Sequence, residues 1–315
     1  MSTQEDMSRD LVVVGSGAAG LSAALAYASA AEAGGRSARI TILERAPEDG
    51  QGGATRWTGS LLRVDTQGQL DPGFGDMMAE VSDGRADMDA CRILAQEAPS
   101  TIQILRDLGV EFFVPPIEVA TVAPAVIIPV GGGAAIVDAY LSRLADFPDV
   151  RVEFGARATK LVVDDSGTVC AVLIDEHGSA SPRRIDTAAV ILACGSFAGN
   201  PDMLTEYLGE RAAALELLAP GLAYNTGDGI RMATEVGAAV TGDFTGIHSE
   251  LADPRATKAD AWMWGHPLGI VVNEHAQRFI DEGAEPMDTS FEEVAIRVWR
   301  DQNQKAFFIF DDAAW

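Results

Sequence analysis

The residues best suited to chemistry lie near the start of the chain. Leu11-Val12-Val13-Val14 runs into Gly15-Ser16-Gly17-Ala18-Ala19-Gly20, and Ile40-Thr41-Ile42-Leu43-Glu44 follows. The order is a buried apolar strand, a Gly-x-Gly-x-x-Gly turn, a small-residue helix, a second strand and an acid. Gly15 permits the tight turn, Gly17 lets the backbone approach a pyrophosphate, and Gly20 lets helix and strand pack closely. The helix start at Ala18 and Ala19 then offers free N–H groups and a positive dipole end to a diphosphate. Glu44 ends the second strand, where a carboxylate accepts hydrogen bonds from ribose hydroxyls. This pattern predicts a dinucleotide site.

A second glycine and hydroxyl cluster follows the acid directly. Glu44-Arg45-Ala46-Pro47 leads into Gly52-Gly53-Ala54-Thr55-Arg56-Trp57-Thr58-Gly59-Ser60. Gly-Gly pairs are usually plain surface turns. Directly after a ribose acid, however, the cluster suits a cofactor larger than a nicotinamide dinucleotide, because more backbone must approach its diphosphate and ring system. The expectation is FAD, with Arg45, Gly52, Gly53, Ala54, Thr55, Thr58 and Gly59 added to the cofactor-binding residues.

Four further segments complete a resemblance to the flavoprotein family of fumarate reductase and succinate dehydrogenase. They are Ala188 to Phe197, Tyr224-Asn225-Thr226-Gly227-Asp228-Gly229, Gly269-Ile270-Val271-Val272-Asn273 and Gln277-Arg278-Phe279-Ile280-Asp281-Glu282. Within the family the chain is most similar to tricarballylate dehydrogenase-like members, through Leu43 to Pro47, Gly199-Asn200-Pro201, Tyr207-Leu208-Gly209 and Asp281 to Ala284. The resemblance implies an α/β fold: a Rossmann-like FAD-binding domain, with a parallel sheet and an antiparallel meander, and an incomplete α+β capping domain. It implies that the backbone at Ala158 meets the adenine, that Cys194, Gly195 and Asp228 lie beside the flavin, and that His248 contacts substrate at the cap entrance. Arg278 is a weaker candidate for a substrate clamp. Asp228 also reads as an N-cap, and both roles can hold together. No His lies between Glu44 and Leu62, where succinate dehydrogenase carries its flavin-linked His, so the FAD is expected to be non-covalent. No arginine lies between Arg278 and Arg297, and the proton-relay Glu and Arg of a fumarate reductase fall on Trp262 and Gly265. Oxidation of another acid is therefore expected rather than fumarate reduction by that relay.

The elements that must position these residues are legible in outline. Residues 1–10 read as a disordered tail, 11–242 as the FAD-binding domain and 243–315 as a partial cap. Met77 to Leu108 is helical in pattern, with a helix start at Met88 to Arg92 and apolar repeats from Leu94 to Leu108 closed by Gly109, and Val114-Pro115-Pro116 is an extended break. Gly131-Gly132-Gly133 precedes a helix from about Ala134 to Leu144 and is either a phosphate or substrate turn or a plain loop. Val150 to Phe154, Ala158 to Asp164 and Val169 to Ile174 read as antiparallel strands, and Thr187 to Cys194 as one fully buried strand. In the cap, Gly269 to Asn273 with Arg278 to Ile280 reads as a hairpin. The family continues beyond Asp311 to Trp315 with a glycine-rich flavin-binding segment, so the chain is expected to be the N-terminal part of a longer enzyme.

Composition limits the classes. The 315 residues, 47% apolar, can bury a large core, and the formal net charge is −24. That charge argues against nucleic acid or anionic membrane surfaces as partners, and no apolar run reaches spanning length. Met1-Ser2-Thr3-Gln4-Glu5-Asp6 is no secretory signal, and Cys91, Cys170 and Cys194 make neither a metal signature nor a disulfide framework. No metal is expected, and a cytoplasmic location is. The expected partners are a small organic acid and an electron acceptor whose identity the sequence does not give. The leading functional reading is an FAD-dependent dehydrogenase or reductase acting on a C–C bond next to a carboxylate, with hydride passing to flavin N5. Two alternatives stand beside it. One is a ketosteroid or enone dehydrogenase, to which Trp262, Met263 and Trp264 would suit an apolar ligand. The other is a non-catalytic or partner-dependent flavin-binding fragment.

Overall fold

The computed structural model describes residues 8–115, 125–176, 181–255, 262–263, 265–285 and 287–312. Met1 to Asp6, Pro116, Trp264 and Ala313 to Trp315, singled out above, lie outside the described residues. In chain order the first half contains β1 (Ser8–Arg9), β2 (Leu11–Val14), α1 (Ala18–Ala33), β3 (Ile40–Glu44), α2 (Gly53–Trp57), α3 (Phe74–Val81), α4 (Met88–Asp107), β4 (Phe112–Phe113), β5 (Ile128–Pro129) and α5 (Gly132–Leu144). The second half contains β6 (Val150–Phe154), β7 (Ala156–Val163), β8 (Val169–Glu176), β9 (Arg183–Thr187), β10 (Val190–Leu192), α6 (Pro201–Leu208), α7 (Asp228–Glu235), β11 (Ile270–Val272), α8 (Met287–Asp301) and β12 (Phe307–Ile309).

A four-stranded parallel sheet of order β10-β2-β3-β6 forms the base. Central strands β2 and β3 are buried along their whole length because both faces are covered. Alternation along the strands divides their side chains between two cores. Leu11, Val13, Ile40 and Ile42 pack with α1, α4 and α5, through residues such as Leu21, Ile102 and Val137. Val12, Val14 and Leu43 face the other way, onto Leu161, Val172 and Ile174 of the meander and Met232 of α7. Alanine-rich α1 buries Leu21, Ala24, Leu25 and Ala28 at helical spacing. Strands β7, β8 and β9 form the antiparallel meander, and β1 extends it parallel to β9. A third, smaller core joins Leu204 of α6 to Trp299 of α8. No helix among the described residues is long and apolar enough to cross a membrane.

The expected architecture is present, with four corrections to its elements. Ser8 and Arg9 are paired with Asp186 and Thr187, so order begins before Leu11. Val150 to Phe154 joins the parallel sheet beside β3 rather than the meander. The helix start expected at Met88 is that of α4, capped by Asp87, whose carboxylate accepts from the Ala90 N–H at 3.0 Å, and the shorter α3 precedes it. The run from Thr187 to Cys194 is not one strand: β9 ends the meander at Thr187, and β10 enters the parallel sheet half-buried. Finally, β11 pairs with β12, while Arg278 contributes a single bridge to Val272.

Gly131 to Gly133 resolve to a packing role. The Gly133 N–H donates to the Thr58 carbonyl at 2.9 Å, and a Cβ on Gly133 would collide with the Thr55 carbonyl oxygen. This start of α5 lies against α2. Gly133→Ala is expected to cost about 1–3 kcal/mol, read as a lower urea midpoint at unchanged slope.

Candidate functional site

A cleft of about 250 Å³ opens at the C-terminal ends of β2, β3 and β10, walled by β7 and by the start of α7. This is where an open α/β sheet places its ligands. The glycine turn enters it as Gly15 to Ala19, the acid end of β3 as Glu44 to Ala46, and α2 as Gly53 to Thr55. The opposite wall carries Ala156 to Ala158, Ala193 to Gly195 and Tyr224 to Asp228, without Gly227.

Glu44 is buried, and its carboxylate is held within the turn rather than left open. Oε2 accepts from the Ser16 hydroxyl at 2.5 Å and the Ser16 N–H at 3.1 Å, and Oε1 accepts from the Ala46 N–H at 2.7 Å. The Ser16 hydroxyl in turn accepts from the Gly52 N–H at 3.2 Å. The acid therefore fixes the glycine turn and the entry to α2. Each carboxylate oxygen can accept more than one hydrogen bond, so lone-pair capacity remains for a ribose.

The three turn glycines separate by what requires them. Gly15 has φ +110°, and a Cβ there would collide with the Ala193 carbonyl oxygen. A Cβ on Gly20 would collide with the Gly15 carbonyl, and Gly20 does not reach the cleft surface. Both are demanded by the protein's own packing. Gly17 is not: its φ is −72°, and a Cβ would meet only Thr55 Oγ1 at 3.5 Å and Gly52 O at 3.6 Å, ordinary contacts. Nothing in the protein excludes a side chain at Gly17, yet it faces the cleft at the start of α1. A residue without a side chain there leaves the start of α1 open to a phosphate. The Ala18 N–H donates to Thr55 Oγ1 at 3.1 Å, tying α2 to the same point. These residues fit the diphosphate and adenosine part of FAD, and the volume suits that part rather than the whole cofactor.

Asp228 gathers the far wall. It accepts a two-pronged bond from Arg157, Nε to Oδ2 at 2.9 Å and Nη2 to Oδ1 at 2.8 Å. It also accepts from Thr226 Oγ1 at 3.1 Å and lies 3.3 Å from Arg45 Nη1 and 3.5 Å from Arg231 Nη2. Arg45 donates to the Thr226 hydroxyl as well. Burial alone would push this carboxyl up, but the Arg157 guanidinium overrides it and holds Asp228 below the usual carboxylate range. The N-cap of α7 is Gly227, and Asp228 is the first helical residue, so the capping role expected for Asp228 is corrected. A carboxylate at that position still complements the helix dipole.

The remaining candidates distribute as follows. Ala158 lines the β7 wall, and Cys194 and Gly195 line the end of β10. Burial pushes the Cys194 thiol up to about 11, so it is protonated at neutral pH. Gly52, Thr58 and Gly59 are not on the cleft surface; Gly52 caps α2 and Thr58 receives the bond from Gly133. His248 lies off the cleft lining, between Glu292 at 2.7 Å and Glu250 at 3.5 Å. Arg278 pairs with Glu282, whose buried carboxylate also accepts from the Val271 N–H at 2.6 Å, so it braces β11. Sequence reasoning missed Ser16, Arg157, Tyr224, Asn225 and Thr226. Three of these sit in the Tyr224-to-Asp228 segment, whose motif points to Asp228 alone, whereas Arg157 carries no local signal beyond its neighbour Ala158.

The chain belongs to the family described as FAD binding domain, whose model matches residues 10–311. FAD is the cofactor of this family, and the cleft fits its diphosphate and adenosine part. The chain is 31% identical to a vinyl phenol reductase of Lactiplantibacillus plantarum over 295 residues, covering 87% of the chain and 57% of that protein. It is 27% identical to a probable fumarate reductase of Shewanella frigidimarina over 314 residues, covering 96% of the chain and 50% of that protein. Its fold is similar to that of a 3-ketosteroid-Δ4-(5α)-dehydrogenase from Rhodococcus jostii, with a TM-score of 0.71 at 24% identity, covering 100% of the chain and 68% of the other. The chain thus spans about half the length of the curated relatives it matches.

Two outcomes follow from this geometry. Gly17→Ala is expected to leave the cofactor-free melting temperature unchanged while weakening FAD binding at least about tenfold, a loss of about 1.4 kcal/mol; calorimetric titration checks it. For His248, hydrogen bonds to Glu250 and Glu292 raise the imidazolium pKa to about 9. Its contribution is therefore complete below the unfolded value of about 6.5 and is lost as pH rises through about 9. With the side chain 59% exposed, His248→Gln should cost less than about 1 kcal/mol at neutral pH, and the difference in denaturation midpoint from the unaltered chain should vanish in alkaline buffer.

Proposed function

We propose that this chain forms the FAD-holding part of an oxidoreductase that acts on a carbon–carbon bond next to a carboxylate, in the manner of a tricarballylate dehydrogenase. The carrying observation is Gly17, which lines the cleft at the start of α1 although the protein's own packing does not require a glycine there. FAD, when bound, supplies a two-electron acceptor for a hydride. The chain's own residues supply the rest: α1 offers N–H groups to the diphosphate, Glu44 sets the turn and accepts from a ribose, and the Arg45 and Arg157 side chains bound the far wall. The cofactor is read as non-covalent, and the likeness to fumarate reductases supports the CH–CH chemistry. Residues 243–315 are read as the beginning of a substrate cap that rests on α6, where Phe244 stacks within 5.7 Å of Phe197 and 5.0 Å of Tyr207. A cytoplasmic location belongs to the same reading, supported by three unpaired cysteines.

A specific observation favours a second substrate class. A carboxylate must be gripped by cations for charge to develop beside it, yet Arg255, Arg278 and Arg297 of the cap region are each paired with an acid of their own segment. His248 is likewise held by two glutamates. An uncharged conjugated alkene or enone would need no such grip, as suits a relative named vinyl phenol reductase.

The test is anaerobic mixing of the FAD-loaded protein with tricarballylate and, separately, with a saturated 3-ketosteroid. Bleaching of the visible flavin band by tricarballylate alone is the expected result, and bleaching by the steroid alone moves the reading to the second class. A flavin that binds and is bleached by neither supports a partner-dependent flavin-binding role.

A further inference from the structure

Arg157 bounds the far wall of the cleft, and its surroundings are unusual. Three segments far apart in the chain meet at one carboxylate that is only 12% exposed. They are β3 through Arg45, β7 through Arg157, and the start of α7, which carries Asp228 itself. Of these contacts only that of Arg157 is two-pronged, with both bonds below 3.0 Å. Such a fork fixes direction as well as distance. Arg45 divides one nitrogen between Thr226 and Asp228, and Arg231 reaches Asp228 only at 3.5 Å while bonding Glu235 at 2.8 Å.

We propose that Arg157 is a positioning residue for the adenosine end of FAD: by gripping Asp228 it holds the start of α7 against β7 and sets the width of the cleft between them. The proposal rests on the reading of the cleft as the FAD site. Its physical basis is the balance of charge on that wall. With Asp228 ionised and forked to Arg157, the guanidiniums of Arg45, Arg157 and Arg231 share one anion. With the Asp228 charge removed, three cations face one another at the mouth of the cleft and separate the walls. With Arg157 removed, Asp228 remains charged but is left to Arg45 and Arg231, whose longer contacts do not fix the α7 start. Ala158, the next residue on β7, is buried in the second core and also lines the cleft. A shift of β7 relative to α7 is therefore transmitted directly to the surface that meets the adenosine.

The charged groups facing Asp228 are Arg157, Arg45 and Arg231, with the Thr226 hydroxyl, and Glu44 and the Cys194 thiol lie on the same cleft. Loss of Arg157 removes the main group holding the Asp228 carboxyl low, so the acid limit of FAD binding moves to higher pH.

The experiment is FAD titration of the unaltered chain, Arg157→Gln, Arg157→Lys, Asp228→Asn and the Arg157→Gln/Asp228→Asn pair, with the cofactor-free melting temperature of each as a folding control. Expected is about a tenfold loss of affinity for Arg157→Gln, a smaller loss for Arg157→Lys, which keeps the charge but not the fork, and a double variant no weaker than Asp228→Asn alone. The acid midpoint of FAD binding should also rise in Arg157→Gln. Unchanged affinity and pH profile in Arg157→Gln, or strictly additive losses in the double variant, overturn the proposal while leaving the cofactor reading intact. Failure of the unaltered, folded chain to bind FAD overturns both. If Arg157→Gln melts below the assay temperature, Arg157→Lys carries the same comparison.

Discussion

Backbone-to-backbone approach at the carboxyl ends of the parallel strands is the constraint on which the rest of this structure depends. The carbonyl of Gly15 lies where a Gly20 side chain would be, and the carbonyl of Ala193 lies where a Gly15 side chain would be. Helix α1 can therefore sit directly on β2, and β10 can end beside the turn. With these distances fixed, the three strand ends converge on one cleft. The same economy recurs in α5, whose start touches α2 at Gly133 and so holds the second glycine cluster against the first.

Electrostatics then arranges what packing has brought together. The chain carries a net charge of −24, which repels a dianionic cofactor at a distance, so local organisation must act against the global field. Two acids on the cleft are already engaged. Glu44 is turned back onto Ser16 and Ala46, and Asp228 is taken by Arg157 and its neighbours. What remains facing the cleft is the N-terminal end of α1 and partly exposed guanidiniums. An anionic ligand thus meets a locally favourable wall within an acidic protein.

How much of this was legible in the sequence follows from the range of the interactions involved. The glycine turn, α1, β3 and Glu44 could be read directly because each depends on residues within a few positions. Most cofactor candidates from Gly15 to Gly59 do line the cleft for that reason. The exceptions, Gly20, Gly52, Thr58 and Gly59, are glycines or hydroxyls used for packing next to the site, and composition alone does not separate the two uses. Placing β6 in the parallel sheet depends on pairing with β3 more than a hundred positions away, and β11 found its partner in β12 rather than in the nearer Arg278 to Ile280. Arg157 was missed because its partner is 71 residues distant, and a lone arginine on a strand has no local signature. Likeness points to His248 and Arg278, but the structure pairs them with Glu250, Glu292 and Glu282, of which only Glu292 is distant in sequence.

The central claim is that the Ser16 to Ala19 turn and the start of α1 receive the cofactor's diphosphate. Amide hydrogen exchange of the whole chain with and without FAD tests this most directly, since it reports where protection arises. The account predicts that FAD slows exchange at Gly17, Ala18 and Ala19 and in the Ala156 to Ala158 segment, with the β11–β12 pair unchanged. Protection confined to the β11–β12 region, or absent from the turn while FAD is bound, would contradict it.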